Sequence, residues 1–547
     1  MSFHLFRINE LYSNLNGTIQ FIELKVGNFN GESHWAGVAI SSSREGVTHT
    51  FTFPSDLPSS GTANRSVLVA TQAFADLGLV TPDFIVPAGF LFTSGGSLNF
   101  GGVDTVAYPE LPVDGVHSLA RNGDQVSATP TNFSGTSVSV PVLNPLEING
   151  SSNNDVLTGT TSNERIDGLA GNDTLSSGGG NDILLGGAGD DVIHSGSGND
   201  AIDGGDGYDY LYFSAATAGV VVNLATGKAN GGAGSDSIAG VELVFGSSFN
   251  DNFIGNDSSV GFLGGDGNDT ITGGAGRDHL EGNGGDDTID GLSGVDIVAY
   301  YSAAFAVNVN LTTGQASGGL GKDTLRNIED VTGSVFGDTL TGSAGDNRLE
   351  GSDGNDTLIS THGNDALDGG NGVDTLVFSL ARSTYTLQRS AGGTYSIEKP
   401  DSAGTDALVS VERLQFADRK VALDLDGNAG STAKVLGAVF GADSVYNLAY
   451  VGIGLGLLDG GMSYQDLMQL ALDVRLGASA THQAVVNLLY TNVIGNAPPP
   501  DDLAFFTGLL DSGTLTPAGL GVIAANTQQN AVKIDLVGLQ ESGIAFV

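Results

Sequence analysis

Several features are missing or scarce in this chain, and each of them argues against a class of protein. It has no cysteine, so neither disulfide bonds nor thiolate metal sites can stabilise it. Basic residues are few, 20 against 62 acidic ones, and the net charge of -42 would repel nucleic acid and anionic lipid. Apolar runs never reach the roughly 18 residues of a membrane span, and the start of the chain lacks the pattern of an amino-terminal export signal. The natural partners of such a chain are cations bound by oxygen ligands.

Glycine, in contrast, is abundant. The chain has 84 Gly against 14 Pro, and 40% of its residues are apolar. A disordered linker would contain fewer apolar residues. We therefore expect a packed, repetitive fold, and the length of 547 residues predicts several domains.

A nine-residue register organises the middle of the chain in three blocks, at residues 150–212, 246–299 and 333–377. Residues 264–272, Gly-Gly-Asp-Gly-Asn-Asp-Thr-Ile-Thr, show it clearly: position six is acidic and position eight is apolar. The blocks contain seven, six and five units, and every unit has an apolar residue at position eight. Position six is Asp except at Glu164, Val260 and Asn347, each in the second unit of its block.

This spacing predicts a parallel β-roll. A short strand buries position eight, and a glycine-rich turn then reverses the chain, because Gly adopts positive φ without steric cost. Two units complete one coil, so stacked coils align the position-six carboxylates in columns on both edges of the roll. Like charges at such distances repel by about 1 kcal/mol or more per pair, and a hard cation with six to eight oxygen ligands relieves this. The alternatives are a flexible Gly/Asp-rich linker and a metal-free β-solenoid.

The units match the glycine-rich nonapeptide Gly-Gly-x-Gly-x-Asp-x-apolar-x, and in this the chain resembles the RTX (repeats-in-toxin) family with its haemolysin-type calcium-binding repeats. The resemblance implies several Ca²⁺ ions, each between neighbouring turns on one side of the roll, bound by position-six Asp and turn carbonyls. The Asp residues that match are Asp173, Asp182, Asp191, Asp200, Asp209, Asp269, Asp278, Asp287, Asp296, Asp356, Asp365 and Asp374. The glycines at position four, which would supply carbonyls, are Gly171, Gly180, Gly189, Gly198, Gly207, Gly267, Gly276, Gly285, Gly354, Gly363 and Gly372. The first two units of each block match poorly.

A longer repeat overlies the short one. Asp236 and Glu242 recur 87 residues later as Asp323 and Glu329, and a third version with the same Asp-to-Glu spacing follows the third block. We expect β inserts or caps at residues 213–245, 300–332 and 378–428, because a solenoid needs terminal coils that prevent edge-to-edge pairing. A ligand pocket in each insert is the functional alternative.

Residues 1–140 alternate apolar and polar residues between turns, which predicts an immunoglobulin-like antiparallel β-sandwich. Segments such as Phe-Ile-Glu-Leu at 21–24 and Phe-Thr-Phe-Pro at 51–54 resemble the lamin-tail fold of bacterial extracellular proteins. That resemblance implies an interaction or spacer module. Glu10 and Glu23 are therefore interpreted as strand-surface carboxylates, with a catalytic pair as the alternative.

Residues 431–547 change to helical periodicity and predict a small all-α domain. A capping box at 463–466 begins one helix, Gly477 ends it, and Asp501 or Asp502 is expected to cap a later one. Leu-Leu-Tyr at 488–490 and Phe-Phe-Thr-Gly-Leu-Leu-Asp-Ser-Gly at 505–513 resemble a helical module of unknown function at the carboxyl end of RTX proteins. The resemblance also implies a type I secretion signal in the apolar tail, residues 534–547.

The sequence thus predicts a mainly β, non-enzymatic extracellular protein that is exported by type I secretion machinery and folds when it binds Ca²⁺. A structural role in a surface layer, biofilm or matrix, with self-assembly, is our first hypothesis. An adhesin that binds a cell-surface glycan or a protein through residues 1–140 is the second. A secreted hydrolase is the third, although the chain contains neither H-E-x-x-H nor G-x-S-x-G.

Overall fold

The computed structural model describes residues 6–14, 17–27, 31, 33–59, 61–77, 79–112, 117–122, 125–132, 134–135, 137, 146–319 and 321–547. The chain divides into two compact units, residues 1–205 and 206–547. The predicted fold class is confirmed: the protein is mainly β, its long sheets contain parallel strands, and most of its helices follow them in the sequence.

The amino-terminal part of the first unit contains two sheets. Its elements in chain order are β1 (Arg7–Ser13), β2 (Gln20–Lys25), β3 (Ala39–Arg44), β4 (Val47–Thr52), β5 (Ser66–Thr71), α1 (Gln72–Asp76), β6 (Phe84–Val86), β7 (Gly96–Phe100), β8 (Asp104–Tyr108), β9 (His117–Ala120) and β10 (Gln125–Ser127). One sheet has the order β10-β9-β1-β2-β5-β6 and the other β4-β3-β7-β8. Neighbouring strands are antiparallel except for the parallel pair β5 and β6.

These two sheets share one apolar core around Trp35. The Trp35 side chain is 0% exposed, and its ring centroid lies 4.8 Å from that of Phe53 and 4.9 Å from that of Phe100. Ile8 of the first sheet and Leu98 of the second pack into the same core. The alternating pattern therefore folds as a sandwich, whereas the likeness to the lamin-tail fold stays a prediction.

The predicted surface position of Glu10 and Glu23 is wrong. The two residues are 5% and 3% exposed, and they pair across β1 and β2 beside a β-bulge that interrupts the alternation. The Ser118 hydroxyl on β9 donates to Glu10, and the Asn9 side-chain amide donates to Glu23 Oε2 at 3.1 Å. Burial, and to a lesser extent the neighbouring Glu23, raises the pKa of Glu10. Alternation alone does not reveal the bulge or the placement of β9 beside β1.

The rest of the first unit is a β-roll. Its strands are β11 (Leu146–Asn149), β12 (Val156–Thr158), β13 (Glu164–Asp167), β14 (Thr174–Ser176), β15 (Ile183–Ala188), β16 (Val192–His194) and β17 (Ala201–Asp206). Strands β11, β13 and β15 pair in parallel in one sheet, and β12, β14 and β16 in the other. Position-eight residues lie opposite each other in register, as Leu157, Leu175 and Ile193 show, so each coil contains two nonapeptides.

The second unit continues with the same alternation between two sheets. Its first strands are β18 (Tyr210–Tyr212), β19 (Val220–Asn223), β20 (Lys228–Gly231), β21 (Gly234–Ala239), β22 (Leu243–Phe245), β23 (Asn252–Ile254), β24 (Gly261–Asp266), β25 (Thr270–Gly274), β26 (His279–Gly284), β27 (Thr288–Leu292) and β28 (Ile297–Ala299). The next are β29 (Val307–Asn310), β30 (Gln315–Gly318), β31 (Gly321–Arg326), β32 (Asp330–Thr332), β33 (Thr339–Thr341), β34 (Arg348–Glu350), β35 (Thr357–Ile359), β36 (Ala366–Asp368) and β37 (Thr375–Val377). The last are β38 (Thr386–Arg389), β39 (Tyr395–Glu398), β40 (Thr405–Val409), β41 (Arg413–Gln415), β42 (Lys420–Ala422) and β43 (Ile544–Phe546).

In this unit, sheet A contains β19 to β21 and then the odd-numbered strands up to β29, whereas sheet B contains β18, β22 and the even-numbered strands up to β28.

The sequence predicts caps in the inserts at 213–245 and 300–332, but the roll continues through both. Strand β22 pairs in parallel with β18 and β24, and β32 pairs in parallel with β28 and β34. Each insert adds an antiparallel excursion to sheet A, β19-β20-β21 or β29-β30-β31. Their sequences alternate like the rest of the roll, and this is why pairing persists.

The parallel stacking ends in the segment 378–428. Strands β40 and β41 still pair in parallel with β36 and β37, but β38-β39-β40 in sheet B and β41-β42-β43 in sheet A are antiparallel. Residues of the predicted tail thus form β43 in sheet A. Short 3-10 turns occur at Arg382–Thr384, Pro400–Ser402 and Ala442–Tyr446.

The carboxyl-terminal helices are α2 (Asn428–Phe440), α3 (Leu448–Asp459), α4 (Tyr464–Leu476), α5 (His482–Ile494), α6 (Pro500–Asp511), α7 (Pro517–Ala525), α8 (Gln528–Lys533) and α9 (Leu536–Ser542). Ser463 caps α4 as predicted, and Gly477 ends it with φ 89°. The cap predicted at Asp501 or Asp502 is wrong: Pro499 is the N-cap of α6, and Pro500 needs no partner for a missing N–H. None of the helices in the described ranges is long and apolar enough to cross a bilayer.

At some of the turns, neighbouring coils approach too closely for a side chain. Gly372 has φ 147°, and a Cβ at this residue would overlap the carbonyl oxygen of Gly354. Gly345 occupies the same motif position in its own unit, but a Cβ there would meet nothing closer than Ser343 Oγ at 3.7 Å. Glycine is therefore sterically required at residue 372, whereas residue 345 has room for a methyl group.

We expect Gly372→Ala to lower the free energy of unfolding of the Ca²⁺-loaded protein by more than about 2 kcal/mol, because backbone strain and overlap add together. The matched variant Gly345→Ala should change it by no more than about 0.5 kcal/mol. Chemical denaturation followed by circular dichroism measures both. Equal effects of the two variants would contradict the packing described at Gly372.

Candidate metal centre

The position-six residues form hydrogen-bonded columns along the edges of the roll. In residues 1–205 the Asp173 amide donates to Asp191 Oδ1 at 2.7 Å. In residues 206–547 the Asp269 amide donates to Asp287 Oδ1 at 2.8 Å. The partners are always 18 residues apart within a block, since two nine-residue turns complete a coil. Each carboxylate is thus fixed to the preceding coil through one of its two oxygens.

The predicted ligands all lie in turns that directly precede a strand. An amide from the preceding coil donates to Oδ1 of each of the following: Asp173, Asp182, Asp191, Asp200, Asp269, Asp278, Asp287, Asp296, Asp356, Asp365 and Asp374. Asp209, at the beginning of the second unit, donates its own amide to Glu242 Oε2 at 2.9 Å. The structure therefore brings the predicted aspartates of one edge together in each unit.

The second oxygen of many of these carboxylates is buried and has no hydrogen-bond partner. This holds for Oδ2 of Asp173, Asp182, Asp269, Asp287, Asp296, Asp356 and Asp374. Each of these side chains is at most 2% exposed. Burying a carboxylate oxygen without a partner is costly, whether it is charged or protonated. Such oxygens are suited to a hard cation.

Carbonyl oxygens converge on the same buried oxygens. A Cβ at Gly264 would collide with both Asp269 Oδ2 and the carbonyl oxygen of Gly282 in the next coil, and Gly351 stands in the same relation to Asp356 Oδ2 and Gly369. These glycines are at position one of their units, which the sequence analysis did not single out. The repeated Gly at position one was the available signal.

The position-four glycines that were predicted as carbonyl donors stack along the turns. A Cβ at Gly189, Gly198, Gly285 or Gly372 would overlap the carbonyl oxygen of the position-four glycine one coil earlier. The φ angle is not positive at Gly276. It is positive at the other predicted glycines, which are Gly171, Gly180, Gly189, Gly198, Gly207, Gly267, Gly285, Gly354, Gly363 and Gly372. Their role as metal ligands stays a prediction.

The first nonapeptide of each block differs in chemistry, as its poor match to the motif indicates. The Ser247 amide and hydroxyl donate to the two oxygens of Asp251 at 2.6 and 2.8 Å. Ser334 does the same for Asp338. These carboxylates are satisfied by the chain itself.

Acidic residues of the inserts extend the columns, although they are not among the predicted ligands. The Asp287 amide donates to Asp323 Oδ1 at 3.1 Å, and the Asp296 amide donates to Glu329 Oε2 at 3.0 Å. At the third block, Asp406 and Glu412 take the corresponding places. The signal in the sequence is the Asp-to-Glu spacing that recurs in the inserts, which by itself predicts only a cap.

No group of three His, Cys, Asp or Glu side chains that could hold a metal ion occurs among the described residues. The oxygens that these turns offer a cation are carboxylates of neighbouring coils and backbone carbonyls. Ca²⁺ accepts such a mixed set of oxygen ligands, whereas transition metals prefer nitrogen or sulfur.

Comparison with known families agrees with this donor set. The family model of the RTX calcium-binding nonapeptide repeat matches residues 149–184, 176–211, 263–298, 332–367 and 341–376. The matched segments of the rolls are RTX calcium-binding nonapeptide repeats. No curated protein matches the chain.

The RTX turns raise the pKa of their own carboxyl groups. The pKa of Asp269 and of Asp356 is raised to about 7, mainly by burial and then by the neighbouring carboxylates of their columns. Burial also raises the pKa of Asp182, Asp287 and Asp296 to about 6. Without metal, the folded chain therefore binds protons at these carboxyl groups more tightly than the unfolded chain does.

This shift gives the metal-free protein an unusual pH dependence. A folded-state pKa above the unfolded value of 3.8 means that the folded chain binds more protons between about pH 4 and about pH 7. In chelator, the free energy of unfolding should accordingly fall as the pH rises through this range. Thermal melts followed by circular dichroism at pH 4.5 and pH 7.5 measure it.

The control for this prediction is the same pair of melts in millimolar Ca²⁺. There the loss between the two pH values should disappear, because metal replaces protons on the column oxygens. A metal-free protein that becomes more stable as the pH rises would contradict the assignment of the raised pKa values to the folded rolls.

Proposed function

We propose that this is an extracellular calcium-binding protein that folds on Ca²⁺ after type I secretion and serves as a structural component of a surface layer, biofilm or matrix. One observation carries the proposal: buried carboxylate oxygens without a partner recur along the edges of the rolls. The RTX repeats are calcium-binding motifs, and the same turns contain these oxygens.

The residues that would hold Ca²⁺ are the position-six aspartates of neighbouring coils and glycine carbonyls of the same turns. Bound Ca²⁺ would supply positive charge and additional ligand bonds to the column oxygens. Because the aspartates belong to successive coils, each ion would join chain segments 18 residues apart. Metal binding would thereby contribute directly to the free energy of folding.

The same arrangement supports export before folding. Where free Ca²⁺ is scarce, the net charge of -42 and the columns of carboxylates disfavour the compact state. An unfolded chain can be threaded through an exporter. Extracellular Ca²⁺ modules typically bind with affinities of about 10⁻⁴ to 10⁻³ M, so the sites would fill outside the cell.

A structural role follows from what the rolls present. The apolar position-eight residues of the second and third blocks are buried in the interior, where for example the Phe253 and Phe262 rings stack at 5.1 Å. The position-six aspartates of the matching turns are buried in the columns. The rolls then act as spacers, and contacts with other molecules are left to the amino-terminal sandwich and the carboxyl-terminal helices.

Calcium titration of the full chain tests the first part of the proposal. We expect circular dichroism to show a cooperative gain of β-structure with added Ca²⁺ but little gain with Mg²⁺, which demands a smaller octahedral site. Asp269→Asn should raise the Ca²⁺ midpoint several-fold. Asp257→Asn removes the same charge from an exposed position of the same block and should leave the midpoint almost unchanged. A spectrum identical in chelator and in millimolar Ca²⁺ would refute the proposal.

Electron microscopy of the purified chain tests the structural role. We expect ordered sheets or lattices in millimolar Ca²⁺ and their loss on addition of chelator. Particles that stay monomeric in Ca²⁺ but bind specific glycans on an array would favour an adhesin instead. Turnover of a compound in a broad hydrolase panel would show that the protein is an enzyme.

A further inference from the structure

A lysine side chain is buried in one column of carboxylates. Lys399 Nζ donates to Asp365 Oδ2 at 3.0 Å and to Asp406 Oδ1 at 2.5 Å. The three side chains are 4%, 2% and 0% exposed, respectively. The ammonium group is therefore enclosed between two carboxylates, in the part of the roll where the parallel stacking ends.

Asp365 and Asp406 are consecutive members of one column. The Asp365 amide donates to Asp406 Oδ1 at 3.1 Å, as position-six amides do throughout the roll. Asp365 Oδ1 in turn accepts the amide of Asn347 at 3.1 Å. The oxygen that Lys399 contacts on Asp365 is Oδ2, the atom that has no partner in Asp356 and Asp374 of the same block.

The hairpin of the third insert positions this lysine. Lys399 follows β39, its amide donates to the Gly404 carbonyl at 2.9 Å, and the turn Pro400–Ser402 separates it from β40. β40 also provides Asp406, whose Oδ2 accepts the Ser360 hydroxyl at 2.7 Å. Both the cation and its second carboxylate thus come from the insert.

The second block ends with a different contact at the corresponding place. The Tyr300 hydroxyl donates to Asp323 Oδ2 at 3.0 Å, but Oδ2 of Asp287, the preceding member of that column, has no partner. A neutral hydroxyl satisfies one oxygen and leaves the charge in place. A side-chain cation also neutralises the carboxylates that it contacts, and at the end of the third block the chain supplies one.

We propose that the Lys399 ammonium replaces a Ca²⁺ ion between Asp365 and Asp406, so that this coil closes without metal and Asp365 is not a Ca²⁺ ligand. The inference rests on the proposed binding of Ca²⁺ by the other RTX turns. An ion and the ammonium cannot share these oxygens, because two cations in one enclosed site repel each other. A tethered cation also needs no free ligand concentration to be bound.

Counting bound Ca²⁺ per full-length chain by equilibrium dialysis with elemental analysis tests this inference. Lys399→Met removes the charge and keeps the length, and it should bind one more Ca²⁺ than the unaltered chain. Lys399→Arg keeps the charge and should bind the unaltered number. Asp356→Asn is the reference for a position whose carboxylate is free to bind metal, and it should lose one ion.

Asp365→Asn in the chain that retains Lys399 gives a second, independent readout, and it decides the matter if Lys399→Met does not fold. We expect no loss of bound Ca²⁺ from this variant. Loss of one ion would overturn the inference, and so would an unchanged count in a folded Lys399→Met protein. Absence of Ca²⁺ from the unaltered chain would refute the proposed function itself, an outcome distinct from either of these.

Discussion

One hydrogen bond, repeated from coil to coil, sets the constraints on the rolls: a position-six amide donates to the position-six carboxylate of the next coil. This bond uses Oδ1 and encloses the side chain, as at Asp269 and Asp287, so that the second oxygen is buried with it. The register that satisfies the backbone therefore concentrates negative charge inside the turns. Folding can be completed only when that charge is neutralised.

Different groups of the chain donate hydrogen bonds to the carboxylates of the columns, depending on the position of each carboxylate. Serine donors satisfy the first member of a block, as Ser247 does for Asp251. A tyrosine hydroxyl and a lysine ammonium serve two of the inserts, at Asp323 and at Asp365 with Asp406. Asp269, Asp287, Asp296, Asp356 and Asp374 have no such donor for their second oxygens, and their turns lie within the segments that match the RTX repeat. Under the proposed function, metal is therefore needed in only part of each column.

Much of the fold was predictable because the signals are periodic. The nine-residue spacing of apolar and acidic residues fixes both the coil and the column, since both depend only on sequence separation. The failures are places where a contact comes from a distant segment. Lys399 approaches Asp365 from 34 residues away, and Ser118 approaches Glu10 from 108 residues away. Periodicity contains no information about such pairs. The inserts differ from the prediction for a related reason. Their Asp-to-Glu spacing is visible in the sequence, but the stacking that places these residues in the columns is visible only in three dimensions.

The coil of two nonapeptides also links the number of repeats to the direction in which the inserts project. Strands of the second unit alternate between sheet A and sheet B, one nonapeptide in each. The second block has six units, an even number, and the excursions before and after it, β19-β20-β21 and β29-β30-β31, both lie in sheet A. The third block has five, and the next excursion, β38-β39-β40, lies in sheet B. Gaining or losing a single nonapeptide would therefore move every later excursion to the opposite face, whereas gaining or losing a pair would change only the length.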